Sequence, residues 1–179
     1  YTARVWLENG TEFLLLQHDN EVWSAEWNSN ESQILTWSPD GTARVWNAES
    51  GVEFLRLRHD NGVLGAQWSS GEDYILTWSW DGTARMWDAE SGDELLIFQH
   101  EDGVPAAEWN GDESRIFTWS FDGTVRIWSS ENGEKLLSLR HEAIVNGAEW
   151  NADESSILSW SQDGMVRIWD ANKGMVIIS

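Results

Sequence analysis

The sequence predicts an all-β chain arranged as a radial array of four-stranded antiparallel sheets. Three observations carry that expectation. The first is a strict repeat. Asp40, Asp81, Asp122 and Asp163 lie 41 residues apart, as do His18, His59, His100 and His141. Trp27, Trp68, Trp109 and Trp150 keep the same step, and so do Trp37, Trp78, Trp119 and Trp160. A fixed period of about 40 residues marks units that bury their apolar faces on their neighbours. The second is a recurring motif: GTARVW at 41–46 returns as GTARMW, GTVRIW and GMVRIW, and the chain opens on YTARVW. Only the first interval slips, Trp6 to Trp46 being 40 residues, which places a one-residue deletion in the loop around Leu7–Gly10. The third is the texture of each period, which alternates short β-forming runs with turn signals and shows no helical periodicity.

One period, residues 60–100, justifies the strands in order. Asn61-Gly62 is a turn signal. VLGAQW (63–68) is apolar enough for a buried strand, here strand a. SSGED (69–73) is a polar turn. YILTWS (74–79), rich in β-formers, is strand b. Trp80-Asp81-Gly82 makes a tight hairpin turn, because glycine tolerates a positive φ. TARMWD (83–88) alternates in character and is strand c. Ala89–Gly92 turn again, and DELLIFQ (93–99) is strand d. Counted over the chain there are four a, four b, five c and five d strands. That gives a c–d half-blade over 1–18, then blades at about 19–59, 60–100, 101–141 and 142–179.

A resemblance enters with these residues. His, twenty-one further residues, then Asp-Gly-Thr-x-Arg-x-Trp-Asp, repeated along the whole chain, resembles the WD-repeat β-propeller family. Departures are visible. Gln17, Arg58, Gln99 and Arg140 stand where that family often has Gly before the His. The Trp-Asp pair is intact only at 87–88 and 169–170. The resemblance implies an all-β propeller of four-stranded antiparallel blades, four full blades plus an N-terminal half-blade. It also implies a buried hydrogen-bonded tetrad in each repeat: His18, Thr36, Asp40, Trp46; His59, Thr77, Asp81, Trp87; His100, Thr118, Asp122, Trp128; His141, Ser159, Asp163, Trp169. A His–hydroxyl–Asp set invites a catalytic reading. Four copies of one triad, with no oxyanion hole in view, favour the structural one. No catalytic residue is assigned and no enzyme is expected.

Composition narrows the partners. The 179 residues carry a net charge of −20, with Lys135 and Lys173 the only lysines. Such a surface repels phosphate backbones and anionic membranes, so neither nucleic acid nor membrane is expected as a partner. The bland reading of the acid is solubility; the sharper one is a basic protein or peptide. No run of about 18 apolar residues exists, and no signal peptide is visible. The chain begins with Tyr1 rather than Met, which points to a processed or partial product. Cysteine is absent, which excludes a disulfide framework and fits a reducing, cytoplasmic setting.

Function on a repeat scaffold resides where the copies differ. The residue before the turn Asp is Pro39, Trp80, Phe121 or Gln162, and the second residue of strand a is Trp23, Leu64, Pro105 or Asn146. Both positions belong to one rim, near the d–a loops and b–c turns. Trp23, Leu64, Trp80 and Phe121 are therefore the candidate partner-binding patch, weighed against local packing between turns.

Fifteen tryptophans are far above ordinary usage. Twelve sit at three fixed positions per repeat, which favours packing between blades over an aromatic cage for a cation. Glu26, Gln67, Glu108 and Glu149 precede the strand-a Trp. A cation site in an axial channel is the sharp reading. Pairing with Trp N–H groups or with Arg44, Arg85, Arg126 and Arg167 is the favoured one. The acidic a–b turns read as solvated hairpins rather than metal sites. No metal or cofactor is assigned. The leading function is a non-catalytic scaffold binding a protein or peptide through its rim. The alternative is a purely architectural or designed propeller with no ligand. Because the strand count does not close, either a homodimer completes the ring or the chain is a fragment of a longer propeller.

Overall fold

A computed structural model describes all 179 residues and contains eighteen strands and no helix. β1 (Thr2–Trp6) and β2 (Glu12–Gln17) form the half-blade. The first full blade is β3 (Ser24–Trp27), β4 (Gln33–Trp37), β5 (Thr42–Asn47) and β6 (Glu53–Arg58). The second is β7 (Val63–Trp68), β8 (Tyr74–Ser79), β9 (Thr83–Asp88) and β10 (Glu94–Gln99). The third is β11 (Ala106–Trp109), β12 (Arg115–Trp119), β13 (Thr124–Ser129) and β14 (Lys135–Arg140). The fourth is β15 (Val145–Trp150), β16 (Ser156–Ser161), β17 (Val166–Asp170) and β18 (Val176–Ile178). Each full sheet runs in sequence order, a simple up-and-down meander, and the half-blade is two-stranded. In the second blade the observed strands agree with those read from residues 60–100 to within one residue.

The chain divides into two compact units. One holds Tyr1–Asp81 with Arg85–Leu95, the other Gly82–Ala84 with Leu96–Ser179. In each, the core lies between successive blades, because alternate residues of a strand point to opposite faces. In the first unit Leu14 and Leu16 of the half-blade meet Ile34, Trp46 and Ala48. Leu35, Ala43, Val45 and Leu57 meet Val63, Ala66, Ile75, Trp87 and Ala89 of the next blade. In the second unit Phe117, Val125, Ile127 and Leu139 meet Val145, Ala148, Ile157 and Trp169. Strand b is thus apolar on both faces: Ile34 packs backward and Leu35 forward. Each large side chain buried this way contributes about 1.5–3 kcal/mol.

Two irregularities recur. The c–d ribbons slip one residue just before the strand-c Trp, at Val5/Trp6, Val45/Trp46, Ile127/Trp128 and Ile168/Trp169. A bulge re-aims the side chain beside it. The a–b ribbons slip only in the second and fourth blades, where Gly65 faces Trp78 and Gly147 faces Trp160. A Cβ on Gly65 would stand 2.1 Å from the Trp78 ring, and one on Gly147 would stand 2.2 Å from the Trp160 ring. Glycine is therefore required there. In the first and third blades the equivalent Ser24 and Ala106 pair with Trp37 and Trp119 without a slip. The slip passes over Leu64 and Asn146, whereas Trp23 and Pro105 precede their strands. That position has no partner in the register, which explains why it varies so freely between copies.

Candidate functional site

Each repeat brings its His, hydroxyl, Asp and Trp together. In the first blade the His18 imidazole Nδ1 lies 2.9 Å from Asp40 Oδ2, and Nε2 lies 2.7 Å from Thr36 Oγ1. Trp46 Nε1 donates to that same hydroxyl at 2.8 Å. The second blade repeats this with His59 at 2.9 Å from Asp81 and 2.7 Å from Thr77, and Trp87 at 2.8 Å from Thr77. In the third, His100 is 3.0 Å from Asp122 and 2.7 Å from Thr118, with Trp128 donating at 2.9 Å. In the fourth, His141 is 3.2 Å from Asp163 and 2.7 Å from Ser159, with Trp169 donating at 2.7 Å.

The chemistry orders each network. An indole N–H can only donate, so the hydroxyl oxygen accepts from Trp and turns its own proton to His Nε2. In the first three repeats the imidazole is then neutral and donates through Nδ1 to the carboxylate. All four hydroxyl residues are fully buried, at 0% exposure. A nucleophile so sealed, with its oxygen already held by indole, meets no substrate. The geometry of a triad is present without its access.

Sequence reasoning missed a fifth member. The strand-c arginine lies against the same carboxylate: Arg44 to Asp40 at 3.0 Å, Arg85 to Asp81 at 3.1 Å, Arg126 to Asp122 at 3.1 Å and Arg167 to Asp163 at 2.8 Å. Arg44, Arg85 and Arg126 also donate to the carbonyls of Gln17, Arg58 and Gln99, the residues just before each His. This corrects the pairing expected with Glu26, Glu108 and Glu149. The usable signal was an arginine at one register position in every copy. Burial alone would raise the Asp40 carboxyl, but hydrogen bonds from Thr42 and His18 outweigh it and hold the pKa at about 2. Against the same cost of burial, hydrogen bonds from His100 and Thr124 drive Asp122 down, and those from the Met165 N–H and Arg167 drive Asp163 down. Burial depresses all four histidines below 6.5, outweighing the nearby carboxylate in each.

The sign of the pH dependence follows. A buried neutral histidine binds protons less readily than its unfolded counterpart, so its stabilisation is complete above pH 6.5 and fades as pH falls below it. The tetrad carboxylates add a second loss below about pH 4, between the ordinary carboxylate range and their depressed values. The melting temperature is expected to hold from pH 7.5 to about 6.5 and then fall progressively toward pH 5, followed by scanning calorimetry. A flat profile across that range would contradict the buried neutral imidazoles.

The acids before the strand-a Trp behave otherwise than expected. Burial raises the Glu26 carboxyl, even though it accepts a backbone N–H from Trp68. Burial also raises Glu108, and the charge of Glu149 adds to it. The buried indole N–H groups of Trp68, Trp109 and Trp150 have no hydrogen-bond partner, so the expected Glu–indole pairing is absent. No group of three His, Cys, Asp or Glu side chains is placed so that it could hold a metal ion.

The a–b turns do more than solvate. Glu31, Glu72, Glu113 and Glu154 each sit at φ between 56° and 61°. This left-handed conformation is uncommon outside glycine. It aims Glu72 at the preceding blade, where its carboxylate accepts the Ser29 backbone N–H and the Asn28 side-chain amide. Glu154 does the same to Gly111 N and Asn110. The hydrogen bond from Ser29 leads in pulling the Glu72 pKa down.

At the rim, Trp23 and Trp80 are 43% and 44% exposed, while Leu64 and Phe121 are half-buried. Trp23 N donates to Trp37 O, and Trp80 N donates to Gly62 O. Both tryptophans therefore stand at the end of their sheets that carries the d–a loop and the b–c turn.

Successive four-stranded meanders, packed face to face and tied by His–hydroxyl–Asp–Trp networks, define the β-propeller class. The chain belongs to the WD domain, G-beta repeat family, which matches residues 11–47, 53–88, 92–129 and 133–170. Repeats of this family serve in general as non-catalytic platforms for proteins and peptides. Among solved structures the chain is similar to the crystal structure of the computationally designed Ika4 protein. The two share 21% identity and a TM-score of 0.75, over 90% of this chain and 98% of that one. That likeness concerns the fold alone. No curated protein matches.

Proposed function

We propose that the chain is a non-catalytic scaffold that takes a basic peptide or protein segment across its rim. One observation carries this reading. Trp23 and Trp80 stay exposed within a surface that also carries the acids Asp19, Glu21 and Asp60. Indole faces attract cations, and a carboxylate surround steers them. The net charge of −20 acts in the same direction and argues against nucleic acid and anionic membrane. No helix is long and apolar enough to cross a membrane. The absence of cysteine suits a reducing cytoplasm.

Arrays of Lys/Arg-rich and scrambled-charge peptides test the reading. Trp23→Ala with Trp80→Ala is expected to weaken capture of basic peptides about tenfold or more, roughly the effect of losing an aromatic anchor. The melting temperature should stay within about 2 °C of the parent, as for other exposed substitutions. Retained capture, or capture indifferent to peptide charge, would reject the rim. The second reading is an architectural assembly without a ligand, favoured by the near-identity of the repeats.

A further inference from the structure

Two sheet faces of the structure are uncovered, one on the fourth blade and one on the half-blade. In the third blade Phe117, Val125 and Ile127 are 0% exposed because the fourth blade lies on them. In the first blade Leu35, Ala43 and Val45 are likewise 0% exposed beneath the second. The same register positions of the fourth blade are Leu158, Val166 and Ile168. Val166 is 55% exposed, Leu158 and Ile168 are half-buried, and Ile178, opposite Ile168 on β18, is 60% exposed. This forward face carries the apolar residues of a contact that has no second side.

The opposite kind of face is uncovered on the half-blade. Trp46 and Trp169 each pack backward against the preceding blade and are 5% exposed. Trp6 holds the same position in β1 and is 55% exposed.

We infer that the forward face of the fourth blade docks on the half-blade of a second copy of this chain, with Trp6 of one copy against Leu158, Val166 and Ile168 of the other. The argument is continuity. The described interblade cores each join a forward face to a backward face, and one chain displays one unused face of each kind. A second copy therefore supplies the cover that these residues already accept three times within the chain. The contact is heterologous, head to tail, so it builds a ring of two or more copies where its rotation closes and an open filament where it does not. Charge opposes it only at a distance: none of the forward-face residues named is ionisable, whereas each copy carries −20 overall. Added salt should therefore tighten the association.

Sedimentation equilibrium on the full chain tests this. The parent is expected at two or a higher whole multiple of the single-chain mass, with association strengthening from low to high salt. Trp6→Glu and Val166→Glu each change an exposed residue, so each variant should keep the parent circular-dichroism spectrum. Each should weaken association about tenfold or more, as expected for a charge placed in an apolar interface core. Mixing the two variants should restore part of the association, because the intact tail of one meets the intact head of the other. A parent at single-chain mass overturns the inference. So does dissociation by Val166→Glu alone, which would mean tail-to-tail pairing, or a mixture that stays dissociated. Trp23 and Trp80 belong to neither face. Loss of assembly and loss of peptide capture are therefore read separately, and this inference does not depend on the rim.

Discussion

Asp40→Ala is expected to destabilise the first unit by about 3–5 kcal/mol, the range for removing one partner of a buried charged network. Five donors converge on this carboxylate. Oδ2 accepts His18 Nδ1, the Asp19 backbone N–H and Arg44 Nη2 at 2.9–3.0 Å. Oδ1 accepts the Thr42 N–H at 2.9 Å and its hydroxyl at 2.6 Å. Alanine removes the shared acceptor from all five, and the Arg44 guanidinium, only 4% exposed, is left with Asp19, Glu53 and the Gln17 carbonyl. Asp40→Asn should recover little, because its amide N–H₂ would point at donors. Asp163→Ala should cost less. His141 lies farther away at 3.2 Å, and Met165 replaces the hydroxyl that Thr42 gives Asp40. Urea unfolding followed by tryptophan fluorescence reads all three variants. An Asp40→Ala protein within about 1 kcal/mol of the parent, the net worth of one ordinary hydrogen bond, would show that the network adds nothing beyond its members.

The second large effect is expected in the other unit. Phe117→Ala should cost about 3–5 kcal/mol through lost transfer energy and the cavity left behind. Phe117 is 0% exposed and its ring centroid lies 5.3 Å from that of Trp119 and 5.4 Å from that of Trp150. Among the fully buried residues of the core between the third and fourth blades it is the largest. Phe117→Leu keeps most of the volume and should cost less than about 1.5 kcal/mol. If the two substitutions prove equal in urea, the site collapses around alanine and the core is looser than the packing indicates. Because the core lies between sheets rather than within one, the loss should appear as weakened blade-to-blade cohesion, the nearest-neighbour term of a repeat array.

Much of this was legible in the sequence. The tetrad residues could be named because the resemblance to WD-repeat propellers implies the set, and a fixed step carries it from copy to copy. Strand order followed from alternation and turn residues. The limits were physical. Arg44 and its counterparts were assigned to the wrong acids, because spacing along a strand does not say which loop folds over its face. The glutamates of the a–b turns looked like hairpin solvation. Only the left-handed backbone at Glu72 and Glu154 turns them onto the preceding blade. Phe121 and Trp80 occupy the same repeat position, yet Trp80 stands well exposed and Phe121 is half-buried. No one-dimensional pattern separates them.

The sequence by itself determined the period, the four strands of each repeat and the all-β class. All of these depend on interactions within one repeat, and local alternation, turn chemistry and spacing encode such interactions directly. Only the tertiary structure decided which charge meets which, why Gly65 and Gly147 must be glycine, and which tryptophans face water. Those outcomes depend on what the adjoining strand or blade places opposite a residue, and that neighbour can be far along the chain yet close in space, as Glu72 is to Asn28 at 3.2 Å.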